Sequence, residues 1–212
     1  MDYSFYVDGE RVRIIRRRRG APMDKVVSEM MIYVNSEWGR HLAESGVPAI
    51  YRAQGNGKVR MSTQPSGHQG LGVAYYTWTS SPLRRYVDLI NQRQLIASIR
   101  GEAPPYAPRS EQLLTIMRDF EQAYEAYTEF QRSMERYWCL RWLLQENVIT
   151  TYAEVIRDNV AKIGDLPLIN RIMGLPLTPP GTFVEVDIAD IDLLAIDFRA
   201  QYRGPSAMQS AS

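Results

Sequence analysis

"MSTQPSGHQGLGVAYYTWTSSPLRRYVDLINQRQL", Met61 to Leu95, runs from a glycine-rich stretch through an aromatic run into a helix start. Ser81 followed by Pro82 predicts that start: a serine oxygen caps free N–H groups, and proline fits the first helical position. The predicted helix spans Pro82 to about Arg100, with Leu83, Val87, Ile90 and Ala97 toward a core. Arg84, Asp88, Asn91 and Gln92 fall on the other side. Two cations, Arg84 and Arg85, then occupy a first turn whose dipole they oppose, at about 0.3–1 kcal/mol each. An anion at the helix start would offset that cost, because a guanidinium grips phosphate with two parallel hydrogen bonds. One arginine is expected to pair with Asp88 at i+3 or i+4, leaving the other for the anion. Tyr75, Tyr76, Trp78 and Tyr86 surround this point, with Tyr51 beside Arg52. These aromatics suit either a core or a base-stacking surface.

Upstream, "YSFYVDGERVRIIRRRR" predicts a hairpin turning at Asp8-Gly9. Its Arg16–Arg19 run reads as a solvated strand end, with a nucleic-acid contact as the alternative. Val27, Met31, Val34, Trp38 and Leu42 mark one face of a helix from Pro22 or Met23 to Ser45, stopped by Gly46 and Pro48. "VPAIYRAQ" and "KVRMSTQP" predict two strands joined across Gly55-Asn56-Gly57. Downstream, Ser110 caps a long helix to about Glu146. Its stripe of Leu113, Met117, Phe120, Tyr124, Tyr127, Met134 and Trp138 is read as core. Beyond Ile149, short β-like runs between Gly and Pro turns predict a small barrel or sandwich. The tail "GPSAMQSAS" is expected to be disordered.

Composition narrows the partners. The 212 residues are 45% hydrophobic and 23% charged, which suits a globular chain with a core. No apolar run approaches the ~20 residues of a membrane span, and no secretion signal is visible. One cysteine, Cys139, fits a reducing cytoplasm, the expected location. The net charge of +1 hides an asymmetry. Residues 1–100 carry 15 Lys and Arg against 8 Asp and Glu, whereas the remainder carries 10 against 16. Such a division points the first half at a polyanion or reflects chance.

The Met61–Leu95 segment resembles the most characteristic stretch of the ribonuclease II and ribonuclease R family (RNB domain). The shared pattern is ST-x-P, H-x-G-L, an aromatic stretch, then S-P-[IL]-R-[RK]-Y-x-D. "DKVVSEMMIYVN", Asp24 to Asn35, resembles the family's E-x-M-x-x-x-N helix. The resemblance covers roughly residues 1–148. It implies processive 3′-to-5′ hydrolysis of single-stranded RNA to nucleoside monophosphates, using magnesium held by aspartates. It further implies that Arg84 is the catalytic arginine at the scissile phosphate. Glu29, Tyr76, Arg85, Tyr86 and His68 would contact RNA, and Ser81, Pro82 and Asp88 would shape the site. Where the family usually has His-Arg, this chain has Gln92-Arg93.

The family's aspartate cluster lies upstream of its glutamate helix, so no metal site is expected in this chain and no magnesium on it alone. "DIADID", Asp187 to Asp192, with Asp197 nearby, is a substitute in composition, but an acidic solvent face is the better reading. Residues 150–212 carry 5 Lys and Arg against 8 Asp and Glu, which suits a degenerate structural barrel better than one that grips RNA.

The expected architecture is α+β. Residues 1–148 form the C-terminal part of an RNB catalytic domain, with three main helices and β-hairpins. Residues 149–204 form a small OB-like barrel and 205–212 a disordered tail. Three functions follow. The chain is an RNA-binding portion of an exoribonuclease, inactive alone; a non-catalytic RNA-binding or regulatory protein; or a subunit completed by a separate N-terminal half carrying the aspartates.

Overall fold

A computed structural model describes residues 1–18 and 20–206. In chain order the elements are β1 (Asp2–Asp8), β2 (Arg11–Arg17), α1 (Pro22–Glu44), β3 (Tyr51–Ala53) and β4 (Arg60–Ser62). Then come α2 (Tyr86–Arg100), α3 (Glu111–Gln145), β5 (Thr150–Arg157), β6 (Val160–Ile163), β7 (Ile169–Met173), β8 (Phe183–Asp192) and β9 (Asp197–Pro205). Two compact units result: residues 20–127, and residues 1–19 with 128–212. Among the described residues no helix is long and apolar enough to cross a membrane.

The second unit is built on the barrel. β5, β6, β7, β9 and β8 close on themselves, with β7 and β9 parallel and the other pairs antiparallel. Its filling is apolar: Val155, Ile163, Leu168, Ile172, Val186 and Phe198 are buried together with Leu140 and Leu143 of α3. Each such side chain contributes roughly 1.5–3 kcal/mol on leaving water. Arg136 of α3 fastens helix to barrel. Its guanidinium donates to the Ile196 and Ile169 carbonyls at 2.8 and 3.0 Å, to Asn170 at 3.1 Å and to Asp197 at 3.0 Å. The β1–β2 hairpin turns where predicted, at Gly9 in the left-handed region. It joins the same core through Phe5 and Ile14, and the Gln145 side chain brackets the Val12 backbone on both sides.

The arginine run after that hairpin is partly spent on neighbours. Arg16 pairs with Asp165, and Arg17 lies 3.7 Å from Asp2; Arg19 is outside the described residues. Gly204 and Pro205, expected in the disordered tail, instead complete β9. Residues 207–212 of that tail are outside the described residues.

In the unit of residues 20–127, α1, α2 and the start of α3 enclose two apolar groups. One holds Ile50, Tyr76, Trp78, Val87, Ile90 and Leu113, the other Leu42, Ala49, Tyr51 and Leu95. Burial along α1 begins only at Met31. Val27, expected in the stripe, is exposed, as are Met23, Val26, Met30 and Tyr33, because no described element covers the first turns. Ser110 caps α3 as predicted, its hydroxyl accepting the Leu113 N–H at 3.3 Å. The middle of that helix differs from expectation: Tyr124 and Tyr127 are exposed, and the apolar face is covered only toward each end.

Candidate functional site: a pinned arginine loop

The helix expected from Pro82 begins four residues later, at Tyr86. Ser81 is not its cap. The Ser81 carbonyl instead accepts the N–H groups of Arg84 and Arg85 at 3.2 and 3.1 Å, closing a separate turn. The Ser81 N–H is in turn taken by Asp88 Oδ1 at 2.8 Å. Pro82 therefore shapes the turn rather than starting a helix. Leu83, placed in the core by periodicity, points to solvent fully exposed, because the turn breaks the helical phase before α2 starts.

This geometry removes the dipole conflict. Arg84 precedes the helix, and Arg85 stands at the N-cap with extended backbone dihedrals. The Arg85 guanidinium donates to Asp88 Oδ1 at 2.7 Å, the i+3 pairing expected for one of the two arginines. Asp88 is wholly buried and Arg85 nearly so, so the pair lies inside the protein and not on the solvent side of α2. Arg84 remains exposed, its guanidinium making, among the described residues, only a 3.4 Å contact to the Ser81 hydroxyl.

Buried amides hold the segment that carries Arg84. Asn35 of α1 accepts from the Thr79 N–H at 3.2 Å and the Thr79 hydroxyl at 2.6 Å, while its own carbonyl accepts from the Thr77 hydroxyl at 3.0 Å. From α2, Asn91 donates to the Trp78 and Ile50 carbonyls at 3.0 and 2.9 Å and accepts the Ile50 N–H at 2.8 Å. Gln92 donates to the Thr79 carbonyl at 2.6 Å. Asn91 was expected on the open side of the helix, yet it is fully buried. A buried polar group without a partner costs free energy, so these reciprocal bonds fix one conformation for residues 77–81. Sequence reading missed this scaffold, for which the signal was the density of amides at Asn35, Asn91, Gln92 and Gln94.

The other predicted contacts divide by burial. Tyr76 and His68 are buried and meet edge to face at 5.4 Å. Burial, helped by the nearby Arg52 charge, holds the His68 imidazole below its ordinary pKa. His68 lines an open cleft of about 920 Å³ beside β3 and β4, whose charged lining residues are Lys58 and Arg60, with no carboxylate. Glu29 and Tyr86 are exposed, on α1 and at the start of α2.

Residues 56–101, which hold the cleft loop and the arginine turn, match the RNB domain. That match covers only part of the chain. An uncharacterised ribonuclease of Synechocystis is 31% identical over 145 residues, covering 56% of this chain and 22% of that protein. Exoribonuclease 2 of Escherichia fergusonii is 60% identical over 45 residues, 21% of this chain and 7% of that protein. The chain thus matches less than a quarter of the length of either RNB relative. In fold, it resembles the Dss1 exoribonuclease of Candida glabrata, with a TM-score of 0.78 and 18% identity over 94% of this chain and 31% of that one. RNase R of Mycoplasma genitalium, in complex with ribose methylated single-stranded RNA, gives 0.74 and 13% over 95% and 45%. The three helices followed by an OB-like barrel are the C-terminal architecture of these RNB exoribonucleases.

The residues present do not fit a magnesium site. Among the described residues, no three His, Cys, Asp or Glu side chains form a group able to hold a metal ion. The acidic run of β8 is engaged otherwise. Asp187 accepts from Thr150 and Arg203, which hold its carboxyl below the ordinary range. Asp190 pairs with Arg199 at 2.7 Å, and Asp192 accepts the Leu194 and Ala195 N–H groups.

Proposed function

We propose that this chain binds single-stranded RNA as the C-terminal portion of a ribonuclease II-type 3′-to-5′ exoribonuclease, with Arg84 on the phosphate at the scissile bond. The supporting observation is the contrast between the two arginines. Arg85 is neutralised by Asp88 inside the protein, while its neighbour stands exposed on a loop that Asn35, Asn91 and Gln92 hold rigid. A guanidinium so placed offers two parallel donors to a phosphate and stabilises charge gained at phosphorus in a transition state. The carboxylate-free cleft at Lys58 and Arg60 supports a polyanionic ligand.

In this reading His68, Tyr76, Arg85 and Asp88 act mainly by positioning, because they are buried, and Glu29 and Tyr86 are available to RNA. Hydrolysis of single-stranded RNA to nucleoside monophosphates belongs to the complete architecture, with magnesium on carboxylates outside this chain's described residues. Those carboxylates are what the described residues would need for hydrolysis. The 212-residue chain is expected to bind RNA without cutting it.

The test is to incubate the purified chain and its Arg84→Ala variant with 3′-labelled single-stranded RNA and magnesium. Binding that weakens with rising salt and with the substitution, and no release of mononucleotides, is expected. Mononucleotide release, or equal binding by the variant, would overturn the proposal.

A further inference from the structure

A second arginine outside the S-P-L-R-R motif meets the same loop. Arg52, on β3, lies with its guanidinium carbon 3.8 Å from the centre of the Trp78 indole, and Arg85 lies 4.0 Å from the same centre. Stacking on an indole braces a guanidinium while leaving its N–H edge free. The two cations are not equally compensated. Arg85 has Asp88, whereas among the described residues no carboxylate pairs with Arg52. Arg52 is half-buried, and both its desolvation and the Arg85 charge work against its protonated form. A half-buried cation without a carboxylate of its own is unfavourable unless an anion completes the site.

The same neighbourhood holds buried polar atoms without partners. In the unit of residues 20–127 they include Arg85 Nε, Asp88 Oδ2, His68 Nδ1 and Tyr51 Oη. Buried groups of this kind are ordinarily satisfied, so Arg85 Nε, beside the guanidinium that shares the Trp78 indole with Arg52, leaves hydrogen-bonding capacity for a polar ligand or ordered water.

We propose that Arg52, braced on Trp78, is a second phosphate-binding residue that takes a backbone phosphate of the RNA strand held at Arg84. This rests on the RNA reading above and adds a contact that the sequence motif does not contain.

The experiment measures affinity of the full chain for a single-stranded oligoadenylate between 50 and 300 mM salt, alongside thermal melts with and without inorganic phosphate. For Arg52→Gln, binding is expected to weaken about tenfold, with the slope of log K against log salt shallower by about 0.7, the value for one phosphate contact on a single strand. Arg52→Lys keeps the charge and is expected to keep the slope. Wild-type affinity and slope in Arg52→Gln would overturn the inference, as would a slope in Arg52→Lys as shallow as in the glutamine variant. If Arg84→Ala weakens binding while Arg52→Gln does not, the inference fails and the RNA reading stands. If the wild type binds no RNA but phosphate raises its melting temperature, and not that of Arg52→Gln, the anion site stands and the RNA assignment fails. If neither ligand acts on the wild type, both fail.

Discussion

Asp88 and Arg85 form an ion pair at 2.7 Å, one carboxylate oxygen serving both the guanidinium and the Ser81 N–H. The pair therefore sets the turn that presents Arg84 as well as neutralising its neighbour. Breaking such a pair from one side leaves a charge buried alone. Asp88→Ala is expected to lose about 3–5 kcal/mol of stability in urea denaturation. Asp88→Asn keeps an acceptor for the Ser81 amide and should lose less. A loss below about 1 kcal/mol for the alanine variant would show that the pair is dispensable.

Asn35 tests whether the loop is held from α1. Asn35→Ala strips partners from the Thr79 N–H and hydroxyl, both buried, and is expected to cost about 2–4 kcal/mol. At a temperature where the variant is still fully folded, its affinity for RNA should also fall, because Arg84 loses its fixed position. Unchanged affinity would mean that the loop keeps its shape without this bond.

His68 gives the fold a sensitivity to acid. Its folded-state pKa is lowered, chiefly by burial, so the unfolded chain binds the proton more readily. Its neutral form contributes stability that is complete above the ordinary histidine value of about 6.5 and is lost as pH falls below it, toward the folded-state value. Melting temperatures measured from pH 8 to pH 5 should therefore drop more steeply for the wild type than for His68→Gln. Parallel curves would remove His68 as the source.

Along α1, substitutions of two apolar side chains should separate sharply. Met30→Lys, at an exposed position, is expected to change stability by no more than about 0.5 kcal/mol. Leu42→Ala, in a fully buried position on the same helix, should cost about 2–5 kcal/mol. Equal effects in chemical denaturation would show that the first turns of α1 are covered in solution.

Several elements could be read from local chemistry alone. The Asp8-Gly9 turn, the Ser110 cap and the Gly-Asn-Gly connection between β3 and β4 depend on residues close in sequence. The S-P-L-R-R-Y-x-D motif likewise lies in the stretch that matches the RNB domain. The start of α2 was not legible. Ser81-Pro82 has the chemistry of a helix start, but Asp88 takes the Ser81 amide and imposes a turn first, which displaced Leu83 into solvent.

By itself, the sequence determined the order of helices and strands, the barrel-forming C-terminal runs and the motif that resembles the RNB domain. These follow from turn residues, caps and hydrophobic period, which act over a few residues. Only the tertiary structure decided which arginine is neutralised, which amides are buried, and that Arg52 shares an indole with Arg85. Those outcomes depend on burial and on partners up to 46 positions apart, as between Gln94 and Pro48. The free energy of a polar group depends on what surrounds it, and no local pattern specifies that.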